Sequence, residues 1–531
     1  MKTPMLVTDF LKRARTVYRD NVAAVCGAER LTYGQLGERI DRFSKALQTM
    51  GVKRGDVVAY QSFNCHRLLE GYYAVPQIGA ILLPINIRLT PPDIAFILTD
   101  AGASTVLVDR QLAALLAPIL PSLSSIKNVI LMGGDPKTDL PIKGADYEAL
   151  IAGAPAAFTP PAVDEDDVAE LFYTSGTTAR PKGVMLTHRN LVSHAYSSMA
   201  CANLDDSDVI LHSIPLFHVN GWGTPHTLTM VGGRHVMVPR FDPEHVLEVM
   251  EREGVTKMFA VPTMAIALMS APSWLTRDLS SVRRIMFGGA ATPAAVLRAM
   301  DERLPEAFVH CGYGLSETSP VLTTALPKAV AKGDRNASRA TRLSAGVPLP
   351  GVEVEILDEK GKALPHDGVT VGEICARGNS IFAGYWKQPA ETAKYIVDGW
   401  FHTGDMGSID DQGYVSIVDR KKDIIITGGE NVASIEIEKA IYEHPSVLEC
   451  AVIGVPDAHW GEVPAALIVL KPGTTLDVAE LIDHCRSRLA HFKVPKHVRF
   501  VEALPKGGTG KILKRELRDA YAKETQAAPA R

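Results

Sequence analysis

The sequence predicts a multidomain α/β protein: a large N-terminal domain of two α/β subdomains plus a small β unit, followed by a small mobile α+β C-terminal domain. Three observations point there. A chain of 531 residues exceeds what one core encloses and should divide into two to four packed units. From Leu31 to Leu123, helical periodicity alternates with short β-rich runs, the rhythm of an α/β layer. Between Ala345 and Arg420 short strands and turns replace that rhythm, and a run of about a hundred residues, long enough for a separate domain, follows.

Taken in order, YGQLGERIDRFSKALQTMG reads as an amphipathic helix, and Val57–Tyr60 and Ser104–Val108 read as strands. The most apolar stretch, Tyr72 to Leu89, holds Pro76, Pro84, Asn86 and Arg88, so it reads as a buried helix and strand, and no transmembrane segment is expected. Gly153–Val163 is a Pro- and Ala-rich connector, and the acidic run Asp164–Asp167 after it is expected to be a solvated face. Arg284–Phe287 reads as a strand, Gly288–Ala291 as a turn, and Thr292–Pro293 as the cap and first turn of a helix. The stretch GVPLPGVEVEILDEKGKALPHDGVTVGEICARG reads as hairpins. Domain boundaries are placed at 1–419, a hinge at 420–423, and 424–531, with Lys523–Arg531 read as frayed.

Composition excludes several function classes. Apolar residues at 46% and charged residues at 22% belong to a folded chain rather than a disordered one. With 56 basic and 60 acidic residues and no basic stripe interleaved with aromatics, nucleic acid is not an expected partner. The N-terminal stretch is broken by Asp9, Lys12, Arg13 and Arg15 before a signal-peptide core could form. Seven scattered cysteines, odd in number and never spaced as CxxC, argue against a disulfide framework or a zinc site. A reducing cytoplasm is the expected setting.

The chemistry concentrates in a few runs. Residues 171–188, LFYTSGTTARPKGVMLTH, set a Ser/Thr/Gly-rich loop between an apolar run and a β-like run. Backbone N–H groups around Gly176, the hydroxyls of Thr174, Ser175, Thr177 and Thr178, and the charge of Lys182 are suited to grip phosphates. A Walker loop is excluded, because Pro181 and Gly183 flank the lysine. A polar surface turn is the bland alternative, which the density of phosphate-compatible residues disfavours.

The segment YTSGTTARPKG closely resembles the signature loop of the adenylate-forming superfamily, which includes acyl-CoA synthetases, luciferases and adenylation domains of peptide synthetases. GYGLSET (312–318), WFHTGD ending at Asp405, DRKKDIIITGGEN (419–431) and LPKGGTGKILKREL (504–517) follow in the family's order, so the resemblance spans most of the chain. Ala179 and Ser316 depart from the commoner glycine and threonine. The resemblance implies ATP and coenzyme A as co-substrates, Mg²⁺ as cofactor and a small-molecule carboxylic acid as substrate; a homodimer is left open. It implies that Glu317 and Thr174 hold Mg²⁺ and that Ser316 contacts the α-phosphate. Asp405 would take the ribose hydroxyls with Arg420, and Lys182 and Lys511 would meet the phosphate and carboxylate. Gly288, Gly289, Ala290, Ala291, Gly312, Tyr313 and Gly314 would form the adenine slot, where small residues allow close approach and the tyrosine can stack. Lys422 matches the family's pivot, and Gly428, Gly429, Glu430 and Asn431 its CoA channel.

PLFHVNGWG (215–223) resembles the acyl-pocket gate, giving His218, Val219, Asn220, Gly221 and Trp222, with Val321, as pocket candidates beside Val261–Leu268 and Ser319–Leu322. No acidic residue there could pair with a substrate amino group, so a neutral acid is favoured over an amino acid. The expected reaction is that of an acyl-CoA synthetase: ATP and a medium-chain fatty acid give acyl-AMP, then acyl-CoA and AMP. The alternatives are an aryl-propenoate or methylmercaptopropionate CoA ligase, a stand-alone adenylating enzyme, a luciferase-like oxygenase and a non-catalytic acyl-adenylate sensor.

Overall fold

The computed structural model describes residues 3–155, 158–174, 180–326, 328, 341–507 and 512–527. Two large sheets form the N-terminal domain. The eight-stranded sheet is centred on Val57–Gln61, flanked in parallel by Ile81–Pro84 and Ala103–Asp109, with Asn128–Met132 beyond. Val57–Gln61 is buried throughout, as the inner strand of a sheet covered on both faces must be. One covering helix is Tyr33–Thr49, in which Thr32 and Gln35 form a capping box and Leu36, Ile40, Phe43 and Leu47 turn one apolar face inward. The antiparallel hairpin of Val168–Thr174 and Lys182–Thr187 joins the sheet beside Ile81–Pro84.

The nine-stranded sheet carries Val209–His212, Arg234–Met237, Lys257–Ala260, Arg284–Phe287 and Phe308–Gly314 in parallel register. Its far edge is closed by the N-terminal hairpin, Val22–Cys26 running parallel to Arg234–Met237. That pairing bridges over two hundred residues, which local periodicity cannot announce. A third, small antiparallel sheet holds Val352–Leu357, Gly372–Gly378, Trp400–Ile409 and Val415–Arg420. The C-terminal domain has its own five-stranded sheet, in which Val447–Asp457 and Gly461–Leu470 form the longest antiparallel pair. Helices Ser434–Tyr442 and Val478–Arg486 supply core residues with one face of this sheet, and helix Lys514–Ala527 with the other.

Several expectations change. Lys514–Ala527 is helical, so the stretch expected to fray continues an element as far as Ala527. Glu165, expected in a solvated run, is 5% exposed: it accepts from the Met5 backbone N–H at 3.0 Å and pairs with Arg189 at 2.6 Å. The helix after Arg284–Phe287 begins at Ala294, with Pro293 rather than Thr292 at the cap position.

Candidate active site

The hairpin register sets the phosphate end of the site. Thr174 closes one strand directly opposite Lys182, which opens the next, so the loop between them starts and ends at one place. Ser175, Gly176, Thr177 and Thr178 lie outside the described residues. Lys182 is buried, ion-paired with Glu391, and its Nζ lies 5.1 Å from the ring centre of Tyr385 and 4.9 Å from that of Tyr395. Two rings and one carboxylate fix a cation that a lone surface lysine would leave mobile.

Tyr385 also reaches the second anchor. Its hydroxyl donates to Glu317 Oε1 at 2.9 Å. Glu317 and Ser316 sit in a buried single turn, Ser316–Thr318, and the backbone carbonyl of Glu317 accepts from Phe382 N–H at 2.9 Å. Burial raises the Glu317 carboxyl above its ordinary range, an effect partly offset by hydrogen bonds and by the charges of Arg420 and Lys182. A buried carboxylate whose one side-chain hydrogen bond comes from Tyr385 suits Mg²⁺ held jointly with substrate phosphates.

The nucleoside end gathers at the tips of parallel strands, where α/β sheets bind ligands. Gly289, Ala290 and Ala291 form an exposed loop past Arg284–Phe287, next to Gly312 and Tyr313 at the end of Phe308–Gly314. Gly314 permits a close crossing, since a Cβ there would lie 1.9 Å from the Pro320 carbonyl oxygen. Asp405 pairs in register with Arg420, whose Nε is 3.4 Å from Asp405 Oδ1. The Tyr313 hydroxyl donates to Asp405 Oδ2 at 2.7 Å, so base and ribose candidates are tied together before any nucleotide arrives.

The gate segment takes a form that its residue types do not predict. Val219, Asn220, Gly221, Trp222 and Gly223 all have positive φ, from 41° to 82°, making a left-handed turn in which three residues are not glycine. Such a run costs about 1–2 kcal/mol per non-glycine residue and persists only where surroundings impose it. Asn220 supplies the clamp: its Nδ2 donates to the fully buried Glu170 at 2.9 Å, and its Oδ1 accepts from Gly223 N–H at 2.6 Å. Glu170 also meets His226 Nε2 at 2.5 Å. The turn carries the Trp222 ring against Gly288, where an added Cβ would stand 3.0 Å from the indole.

A small, partly open cavity lies behind Trp222, between it and the face of the nine-stranded sheet. Trp222 and Val321 line it; His218, Val219, Asn220 and Gly221 do not, because the left-handed turn directs only the indole inward. Val261–Leu268 is also displaced from it by one step along the chain: Met258 and Phe259 form the wall instead. The cavity is not wholly uncharged, since Lys257 and Arg284 reach its far end. Sequence reading missed these residues, with Met286 and His310, because they come from three separate strands.

In the C-terminal domain, Lys422 is exposed in a turn closed by Asp423 N–H to the Arg420 carbonyl at 2.8 Å, a location suited to a pivot. Gly428, Gly429 and Glu430 make an exposed tight turn with positive φ at both glycines, between Ile425–Thr427 and Glu430–Val432. Lys511 lies outside the described residues. The segment leading to it reaches the N-terminal domain, where Arg88 Nη1 donates to the Gly507 carbonyl at 3.3 Å.

Comparison with known proteins identifies the family and the fold. A family model described as AMP-binding enzyme matches residues 11–386, and the AMP-binding enzyme C-terminal domain matches 436–511. The chain is 39% identical over 499 residues to a feruloyl-CoA synthase of Amycolatopsis sp, covering 93% of this chain and 95% of that one. It is 35% identical over 533 residues to a 2-methylpropanoate–CoA ligase of Humulus lupulus, covering 97% and 95%. Among solved structures, an anthranilate CoA ligase bound to anthranoyl-AMP superposes with a TM-score of 0.90 at 27% identity, covering 99% of both chains. No helix among the described residues is long and apolar enough to cross a membrane. The chain therefore belongs to the AMP-binding enzyme family and is an AMP-forming acid–thiol ligase of its acyl-CoA synthetase branch.

Proposed function

We propose that the enzyme activates an uncharged carboxylic acid of medium size, an aliphatic chain or a single-ring acid, and transfers it to coenzyme A. The substrate carboxylate attacks the α-phosphorus of ATP, releasing pyrophosphate and forming acyl-AMP; the CoA thiol then attacks the acyl carbon and AMP leaves. Negative charge grows on the phosphate in the first step, so preorganised cations aimed there lower the barrier. Lys182 is held for that role by Tyr385 and Tyr395. Ser316 positions the α-phosphate, Lys511 bridges phosphate and carboxylate, and Asp405 with Arg420 orients the ribose. Glu317 and Thr174 would hold Mg²⁺, which would supply charge neutralisation. The small domain, turning about Lys422, then presents Gly428–Glu430 to the pantetheine arm.

The observation that carries this reading is the shared tyrosine: Tyr385 links Lys182 and Glu317, the cation and the metal carboxylate, at the base of the hydroxyl-rich loop. The choice of an uncharged acid rests on the cavity, which no carboxylate lines among the described residues. A substrate ammonium group would be buried there without a partner. A panel of acids assayed for CoA-dependent AMP formation tests both points. Best turnover with an α-amino acid would defeat the substrate reading, and AMP formation indifferent to CoA would defeat the ligase reading.

A further inference from the structure

The wall of the acyl cavity opposite Trp222 is one face of the nine-stranded sheet, and its residues stand in two rungs. Lys257, Arg284 and Phe308 are register partners across three strands; Phe259, Met286 and His310 are partners one rung nearer the strand tips. Of these, Lys257, Phe259, Arg284, Met286 and His310 line the cavity. Lys257 is satisfied, its Nζ donating to Asp208 Oδ2 and to the Asn203 carbonyl, each at 2.7 Å.

His310 and Arg284 are not so provided for. His310 is 2% exposed. Its Nδ1 lies 3.2 Å from the Cys311 carbonyl oxygen, which can only accept, and 3.4 Å from Thr324 Oγ1, which can accept as well, so the ring proton is assigned to Nδ1, which leaves a lone pair on Nε2. That Nε2 has no partner among the described residues. Arg284 donates through Nη1 to the Cys201 carbonyl at 2.8 Å and lies over the Phe308 ring at 5.4 Å, but pairs with no carboxylate among the described residues. A buried acceptor left without a donor is unfavourable, and a ligand hydroxyl could supply the missing bond.

We infer that this end of the cavity recognises a hydroxyl group on the acid, remote from its carboxylate, with His310 Nε2 accepting the hydroxyl proton and Arg284 donating toward the hydroxyl oxygen. A hydroxyl both donates and accepts, as this pair requires. A plain alkyl or phenyl terminus leaves His310 Nε2 unsatisfied. A second carboxylate would suit Arg284 but has no proton for His310 at neutral pH. The inference rests on the ligase reading above and narrows its substrate.

The test uses the full chain with ATP and CoA and two matched pairs: phenylpropenoic acid with and without a para hydroxyl, and octanoic acid with and without a terminal hydroxyl. In at least one pair kcat/KM is expected to be roughly tenfold or more higher for the hydroxylated member, mainly through KM. His310→Leu, or Arg284→Met should that variant fold poorly, is expected to bring the ratio to about one. Equal turnover within both pairs by the native enzyme, or better turnover of a dicarboxylic acid than of either hydroxylated acid, would overturn the inference and leave the ligase reading standing. An unchanged ratio in both folded variants would overturn the assignment to these residues. If no acid in a wide panel gave CoA-dependent AMP, the ligase reading itself would fall, and this inference with it.

Discussion

Tyr385 donates its phenolic hydrogen to Glu317 at 2.9 Å while its ring lies 5.1 Å from Lys182 Nζ, so one aromatic side chain sets the spacing of the candidate metal carboxylate and phosphate cation. Glu317 is buried, which raises its carboxyl above the ordinary 4.5. A carboxyl whose folded value is raised holds its proton more tightly in the folded state. Its contribution to stability is therefore fullest below the ordinary value and is lost as pH rises through the raised one. Glu317→Gln is accordingly expected to melt no lower than the native enzyme at neutral pH, yet to lose about a hundredfold or more of AMP formation, because Mg²⁺ placement needs the charge. Thermal unfolding and turnover on the same preparation check this, and the native acidic limb should lie above 4.5. Unchanged turnover and Mg²⁺ dependence in the variant would remove Glu317 from the metal site.

Glu391 holds Lys182 in an ion pair that incoming phosphate must share or displace. Glu391→Gln weakens that competition, and the KM for ATP is expected to fall by about threefold with kcat little altered, the sign of a ground-state effect. A KM for ATP that rises instead would mean that the pair holds the lysine in its working position.

Asn220 clamps the left-handed turn by bonding both Glu170 and the Gly223 N–H. Asn220→Ala breaks two buried hydrogen bonds and leaves a Glu170 oxygen short of a donor, for a loss of about 2–4 kcal/mol. Because the turn aims Trp222, the KM for the acid should rise several-fold more than the KM for ATP. Equal changes in both constants, measured by steady-state kinetics beside denaturant unfolding, would mean that the clamp serves stability alone.

The phosphate and metal candidates were named from local runs, Lys182 by the hydroxyl-rich run before it and Ser316–Glu317 by resemblance, and the structure links Lys182 and Glu317 through Tyr385. Strand Arg284–Phe287 and helix Tyr33–Thr49 were legible because their periodicity lies within one segment. The cavity was not. Its wall takes Phe259, Met286 and His310 from three strands, and only the sheet register makes them neighbours. The left-handed turn was hidden too, because valine and tryptophan give no sign of positive φ; a buried Glu170 some fifty positions earlier holds it through Asn220. Glu165 was misread for a related reason: the partner that draws it inside, the Met5 backbone, is distant in sequence.

The account stands on one acyl pocket served in turn by two faces of the C-terminal domain, and separating the half-reactions tests that most directly. Lys511→Ala should slow pyrophosphate release from acid and ATP by roughly a hundredfold, about 3 kcal/mol of lost transition-state contact, while transfer of a supplied acyl-adenylate to CoA is largely spared. Lys422→Pro fixes φ at the pivot; acyl-adenylate and pyrophosphate should still form while acyl-CoA formation collapses. The measurement is pyrophosphate and thioester formation by each variant, starting once from acid and ATP and once from chemically prepared acyl-adenylate. Complementary defects are the predicted result, and equal loss of both half-reactions in both variants would contradict the account.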